Sequence, residues 1–285
     1  LASDIDDNAP RIHRPAQENT MSLQRLRLAK NEDKRLRSGH LWIYSNEVDT
    51  NATPLRNFAA GEQVIVENQQ GKVMGVAYVN PQSLICARMM TNDERPVDLN
   101  TLKKRIKSAL ALREQLFDQP CYRLIYGESD LLPGLVVDRF GDHLCVQLNT
   151  AGMDAMRDVV IEALVRMLQP VSILLRNDAA VRKLEGLPLE VVTAYGEVPD
   201  EVELIENGVR FLAPLAAGQK TGWFYDQRPN REWLRNIVPG KRVLDVFSYV
   251  GSFGVQAAVF GADDVWCADI SESALDMVHK NAELN

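Results

Sequence analysis

Val243-Leu-Asp-Val-Phe247 is a short apolar run that enters the loop Ser248-Tyr-Val-Gly-Ser-Phe-Gly254. An Ala-rich helical stretch follows from Val255 to Phe260. A second apolar run, Val265-Trp-Cys-Ala268, ends on Asp269, and Ser271 is placed to cap a helix running to Asn285. The order is strand, glycine loop, helix, strand, acid, which is the opening of a nucleotide-binding β-α-β unit. Gly251 and Gly254 let backbone approach a ligand, and the helix after the loop offers free amide donors. Asp269 lies 24 residues beyond Asp245, near the ~20-residue offset at which a carboxylate accepts both ribose hydroxyls. The pattern therefore favours an adenosine-containing ligand. A β-α-β unit that binds nothing is the plain structural reading.

A dinucleotide site asks for G-x-G-x-x-G, so that a pyrophosphate can rest on the helix N-terminus. Here the loop has two glycines and the bulkier Phe247, Tyr249 and Phe253. Asp245, at the end of the first strand, would repel a pyrophosphate and attract a cation such as an ammonium or sulfonium. Asp245 could instead be a helix-capping or loop-ordering acid.

A second chemical feature is charge. The chain of 285 residues carries a net −7, which argues against a simple nucleic-acid binder. The distribution is uneven: residues 21–95 sum to +2 and residues 96–285 to −7. Arg25, Arg27, Lys30, Lys34, Arg35 and Arg37 cluster against only Glu32 and Asp33. Such a cluster can track a phosphate backbone, or it can be a solvated face. Cys86, Cys121, Cys145 and Cys267 form no C-x-x-C pair, and with scattered His13, His40, His143 and His279 they give no metal site. Three of these cysteines, Cys86, Cys145 and Cys267, fall in apolar strand-like runs, where a buried thiol is expected. No apolar run approaches the ~18 residues of a membrane span, and no signal peptide is recognisable at the N-terminus, so a cytoplasmic protein is expected.

The elements that would position these residues fall into four stretches. Residues 1–20 are polar and aperiodic and read as a disordered leader, with Met21 at or near the natural start. Residues 21–95 hold short β-prone runs (63–67, 73–80, 84–89) separated by turn signals, which suggests a small β-barrel. Residues 96–200 begin with a helix over 97–117, capped by Asp98 or Asn100. They continue with a hairpin turning at Arg139–Asp142, an amphipathic helix near Met156–Leu168, a strand over 171–175 and a short helix over 178–184. That mixture implies an α+β domain. Residues 201–285 start with a hairpin turning at Asn207-Gly208. An unusual loop over 214–231 and a helix over Arg231–Ile237 precede the β-α-β unit. The fold class is thus multidomain α/β and α+β.

The stretch Val243–Gly254 with Asp269 resembles the first two motifs of class I S-adenosylmethionine-dependent methyltransferases. Gly218-Gln-Lys-Thr-Gly-Trp-Phe-Tyr-Asp-Gln-Arg-Pro-Asn-Arg231 is similar to the segment preceding that domain in the large-subunit ribosomal RNA cytosine-C5 methyltransferase (methyltransferase I-like) family. Gly39–Val48 (GHLWIYSNEV) resembles the start of the PUA RNA-binding domain of the same family. The resemblance runs from about Met21 to Asn285, and the 218–231 segment is its most specific motif.

The resemblance implies a Rossmann-like methyltransferase domain, S-adenosylmethionine as cofactor and ribosomal RNA as partner, with a homodimer as an option for assembly and no membrane association. Asp269 would hold the ribose, and Phe247, Gly251, Ser252 and Gly254 would line the cofactor loop with Asp245. Gln227 would reach the methionine moiety, unless its amide caps the next helix. Asp226, Arg228 and Arg231 would tie the 218–231 loop down. The basic cluster and Trp42 would contact RNA, although Trp42 also suits an ordinary core position. In this family a cysteine attacks C6 of the base. None of the four cysteines here matches it, so it is expected beyond Asn285, and no catalytic residue is assigned. Only 45 residues follow Gly240, too few for a complete doubly wound sheet. The competing readings are an RNA methyltransferase acting on another base or atom, a nicotinamide-dependent oxidoreductase and a non-catalytic RNA-binding module.

Overall fold

The computed structural model describes residues 23–285; the expectations for a leader over 1–20 and for Met21 as the start lie outside the described residues. The first sheet has five strands: β1 (Gln24–Arg27), β2 (Trp42–Ile43), β3 (Gln63–Glu67), β4 (Val73–Val79) and β5 (Ala87–Met89). Their order is β1-β3-β4-β5-β2, with β1 parallel to β3 and the other pairs antiparallel. The two ends of the sheet meet. Ala29 N–H donates to Glu47 O at 2.8 Å, Asp49 N–H donates to Arg27 O at 2.9 Å, and Leu28 bridges to Val48. That closure makes the small barrel the sequence suggested. Leu26, Ile43, Val64, Val66, Ala77 and Met89 fill its interior. Strand alternation turns Ile65, Val76 and Tyr78 outward into the core of the next unit. One short helical turn, α1 (Lys34–Arg37), follows β1.

The second sheet has the order β10-β9-β8-β7-β6, built from β6 (Cys121–Tyr126), β7 (Leu135–Phe140), β8 (His143–Leu148), β9 (Ser172–Asn177) and β10 (Glu190–Gly196). The β8–β9 pair is parallel, joined by the crossover helices α3 (Ala151–Ala155) and α4 (Arg157–Leu168). Helix α2 (Leu99–Leu116) packs with α4 on the same face of the sheet. The Asp98 carboxylate accepts from Thr101 N–H at 2.8 Å and caps α2, one of the two expected caps. A short helix, α5 (Val181–Leu184), leads to β10.

Three local expectations are corrected. Strands β6 and β10 have no counterpart in the sequence reading. β6 is buried on both faces and broken by a register shift, and β10 is a largely exposed edge, so neither shows clean alternation. The β7–β8 turn is only Gly141-Asp142, since Arg139 and Phe140 continue β7. The helix expected at Arg231–Ile237 starts earlier, as α6 (Arg228–Trp233). Pro229 sits in its first turn, where a missing N–H costs nothing, and a 3-10 turn over Leu234–Asn236 ends it.

Barrel and second sheet are locked by buried polar contacts. Tyr78 donates to Pro133 O at 2.8 Å, and Gly152 sits so close beneath its ring that a Cβ would collide with it. Glu185 accepts from Asn80 at 2.8 Å and Arg88 at 3.0 Å, all three buried. On its other face the second sheet contributes Cys121, Phe140, Cys145 and Leu174 to a core shared with the hairpin β11 (Glu201–Glu206) and β12 (Val209–Pro214). Asn207 and Gly208 turn this hairpin at φ +57° and +81°, as their types require. Last come the parallel pair β13 (Arg242–Val246) and β14 (Asp264–Ala268), with α7 (Gly254–Val259) and α8 (Glu272–Glu283). The helices cover one face of the pair. The other presents Leu244 and Trp266, each 67% exposed.

Candidate functional site

Between β13 and α7 the backbone is strained. Seven non-glycine residues have positive φ among the described residues, and Phe247 (+63°), Tyr249 (+48°) and Lys220 (+51°) all belong to this corner. Bulky residues in the left-handed region cost energy and gather where a loop must hold a special shape. The loop is anchored by Ser248 N–H donating to Ala268 O at 3.1 Å and by Tyr249 N–H donating to Asp269 Oδ2 at 2.8 Å. Asp269 Oδ1 accepts from Ser271 N–H at 3.0 Å. These amides of Ser271 and Tyr249 hold the Asp269 carboxyl below the usual carboxylate range. An ionised carboxylate has about four acceptor positions, so Asp269 keeps room for two ligand hydroxyls.

Asp245 takes the second role the sequence allowed. Its Oδ2 accepts from Gly254 N–H at 2.9 Å and orders the start of α7. The first amide of that helix is therefore used internally, contrary to the free donors expected. Burial raises the Asp245 pKa, and the Asp269 charge adds to the rise. Gly254 is required by packing, because a Cβ would collide with Cys267 Sγ on β14. Cys267 itself is partly exposed rather than buried, while Cys86, Cys121 and Cys145 are buried and free. Phe247 is 86% exposed. Ser252 Oγ accepts from Arg231 at 3.4 Å, and Gly251 packs against α8. Within the same loop Ser248 Oγ is buried and has no hydrogen-bond partner among the described residues.

The 218–231 segment is gripped from both sides. Arg176 of β9 donates to Leu215 O at 2.5 Å and to Gly218 O at 2.9 Å. Thr221 donates to Asp138 of β7 at 2.5 Å, and Gln219 N–H donates to the Tyr249 hydroxyl at 2.9 Å. Trp223 Nε1 (3.0 Å), Arg231 (2.5 and 3.0 Å), Gln256 (3.1 Å) and Arg228 (3.4 Å) all donate to Glu206, which closes β11. Arg228 and Arg231 thus tie the segment down as expected. Asp226 does not: it is exposed and, among the described residues, its side chain meets only the Gln227 amide at 3.4 Å. Gln227 stands at the start of α6, where its Oε1 accepts from Asn230 at 2.9 Å. Sequence reading missed Glu206, Asp138, Arg176 and Ser248. Glu206 left a signal, since it falls in step with the buried Val202 and Leu204 on β11, and an in-phase carboxylate must find cations. A cavity of about 380 Å³ meets the loop on its Tyr249 side, bounded by Gly218, Gln219 and the first turn of α8. Asp269 does not line it.

The basic cluster is less bare than its sequence suggested. Arg25 and Arg27 pair with Glu67 (3.0 and 2.5 Å), Arg35 pairs with Glu47 (2.8 Å), and Arg37 pairs with Asp33. Lys30 and Lys34 are exposed. Trp42 is not a core residue: it is 37% exposed and its Nε1 donates to Glu128 of the second unit at 2.8 Å.

Residues 26–92 match the family model of a PUA-like domain, and residues 167–285 match that of S-adenosylmethionine-dependent methyltransferases. The chain is 39% identical over 263 residues to ribosomal RNA large subunit methyltransferase I of Vibrio cholerae, covering 90% of this chain and 65% of the relative. The chain thus spans about 65% of the length of the curated relatives it matches. Among solved structures, a putative SAM-dependent methyltransferase from Streptococcus mutans aligns at TM-score 0.76 with 22% identity, covering 92% of this chain and 68% of that one. A putative methyltransferase complexed with SAH aligns at TM-score 0.78 with 22% identity, covering 92% and 67%. Both likenesses establish the fold. No helix among the described residues is long and apolar enough to cross a membrane.

Proposed function

We propose, from a chain that pairs a PUA-like domain with the S-adenosylmethionine-dependent methyltransferase fold and resembles the ribosomal RNA large subunit methyltransferases I over nine-tenths of its length, that the whole protein methylates large-subunit ribosomal RNA. The finer reading is that it forms 5-methylcytosine. The division this reading proposes is a barrel over 21–95, of which 21 and 22 lie outside the described residues, an α+β unit over 96–200, and the hairpin with the opening of the methyltransferase domain over 201–285.

The observation that carries the cofactor reading is Asp269. Its carboxylate stands at the tip of the second strand, ionised and oriented by two backbone amides, beside a loop strained into shape. The residues present fit S-adenosylmethionine. Asp269 would accept the ribose hydroxyls, the unpartnered Ser248 hydroxyl has a bond to give, and Phe247, Gly251 and Ser252 would line the ligand. Asp245 and Gly254 would shape the loop from behind, with the Asp245 carboxyl accepting from Gly254 N–H. Gln227 would reach the methionine end by exchanging its bond to Asn230. When bound, the cofactor supplies an electrophilic methyl group on a sulfonium. This chain's residues orient it and keep the loop fixed through Tyr249, whose amide meets Asp269 and whose hydroxyl meets Gln219.

RNA would meet the barrel through Lys30, Lys34 and the outer faces of Arg25, Arg27, Arg35 and Arg37, with Trp42 at the edge. Backbone contacts of this kind position RNA without reading its sequence, and the base must leave its stack to present C5. In the cell such a protein would work where ribosomal RNA is made, in the cytoplasm. Calorimetric titration of the intact protein tests the cofactor choice. S-adenosylmethionine is expected to bind more tightly than NADH, and the opposite order would replace the methyltransferase reading with an oxidoreductase. Bisulfite sequencing of RNA methylated by the intact protein tests the product: a protected cytosine supports the C5 reading, and a methyl group on another base or atom removes it.

A further inference from the structure

The first half of α2 reads Leu99-Asn-Thr-Leu-Lys-Lys-Arg-Ile-Lys107, with four cations in five positions. At 100° per residue, Lys103, Lys104 and Lys107 fall within an arc of about 100°. Leu102, Ile106 and Ala109 fill the opposite, buried face. Lys104 and Lys107 are exposed and Lys103 is half-buried. Among the described residues, none of the three ammonium groups has a carboxylate partner. The fourth cation, Arg105, turns away to donate to Leu131 O. The only acid on α2 is Glu114, seven residues past Lys107, or about 10 Å along the axis. That is one Debye length at about 0.1 M salt.

This arrangement has a cost. Lys103 and Lys107 are i,i+4 neighbours, and Lys104 and Lys107 are i,i+3 neighbours, so like charges repel across one helical turn. In the barrel, by contrast, four of the six clustered cations are matched by buried or half-buried carboxylates. Local frustration left unrelieved marks a surface shaped for something outside the chain. The strip also borders a cleft of about 740 Å³ lined by Thr91, Arg95, Thr101, Lys104, Ser108 and Ser129 among others. The acids of that cleft are already engaged: Asp93 with Arg95, Asp98 at the helix cap and Asp130 with Arg113. The net unmatched charge of strip and cleft is therefore positive, on a protein whose total charge is −7.

We propose that Lys103, Lys104 and Lys107 on α2 form a second RNA-backbone contact, placing the α+β unit, and not the barrel alone, on the ribose-phosphate chain. The inference rests on the RNA methyltransferase reading and extends it to a surface which that reading does not use.

The test is filter binding of full-length protein to protein-free large-subunit ribosomal RNA between 50 and 250 mM KCl, with Lys103→Gln/Lys104→Gln/Lys107→Gln beside the parent. Glutamine keeps helix propensity near that of lysine, and thermal melting confirms the fold. Affinity at 100 mM salt should fall about ten-fold, and the slope of log affinity against log salt should flatten by about 2, from three contacts at roughly 0.7 each. The single Lys104→Gln should flatten it by about 0.7. Cofactor affinity should not move. Unchanged RNA affinity and slope in the triple variant would overturn this inference alone. A parent that binds no RNA would overturn it together with the RNA methyltransferase reading. If poly-glutamate competes for the three lysines as well as RNA does at equal charge, the strip belongs to an acidic polypeptide and the inference fails.

Discussion

Glu206 and Asp269 are both acids that close a β-strand, and their surroundings are opposites. Glu206 is completely buried and saturated by Trp223, Arg228, Arg231 and Gln256, so every acceptor position is used within the chain. Asp269 is held by two backbone amides, with the exposed Phe247 and Ile270 and the unpartnered Ser248 hydroxyl around it. The first carboxylate is scaffold, because it spends its bonding capacity on the segment that frames the site. The second retains bonding capacity beside a strained loop, as the ligand role proposed for it requires. Stability should therefore reside at Glu206 and binding at Asp269.

Mutations can break this contrast. The largest expected effect is Glu206→Ala, which leaves Arg231 buried without its counter-ion and should cost about 3–5 kcal/mol in chemical denaturation. A loss below about 1 kcal/mol would mean that the hub is not structural. Next is Gly254→Ala, whose new methyl meets Cys267 Sγ; overpacking of this kind should cost about 1–3 kcal/mol. Pairing it with Cys267→Ala should recover part of the loss, and no recovery would contradict the contact.

Asp245→Asn should have the smallest effect on stability and a definite sign with pH. The Asp245 pKa is raised in the folded chain, by burial and then by the Asp269 charge. A group with a raised folded pKa contributes stability below its unfolded pKa and loses it as pH rises through the folded value. The asparagine variant, which can still accept from Gly254 N–H, should therefore gain on the parent as pH rises from the ordinary carboxylate range toward neutrality. A stability difference independent of pH would show that Asp245 is not desolvated.

What the sequence made legible is local. The Asn207-Gly208 turn, the Asp98 and Ser271 caps and the strand–loop–helix–strand–acid order each depend on residues a few positions apart, and each formed as read. What escaped depends on contacts across the chain. Glu47 and Glu67 neutralise the basic cluster from 12 to 42 residues away, so charge counting along the sequence overstated it. Asp138 and Arg176 reach the 218–222 loop over 83 and 42 residues. Asp226 looked like a tie because of its neighbours, yet the fold points it to solvent. The α2 lysines lay in plain view; what the fold adds is that Lys104 and Lys107 are exposed on one side of α2 while Arg105 turns away to Leu131 O.

The most direct measurement is a calorimetric titration of S-adenosylmethionine into intact protein carrying Asp269→Ala, with a denaturation curve of the same sample. Cofactor affinity should fall by about 1–3 kcal/mol, since ribose hydroxyls lose a charged acceptor, while stability falls by much less than in Glu206→Ala. Unchanged affinity, or a stability loss equal to that of Glu206→Ala, would contradict the assignment of Asp269 to the ligand.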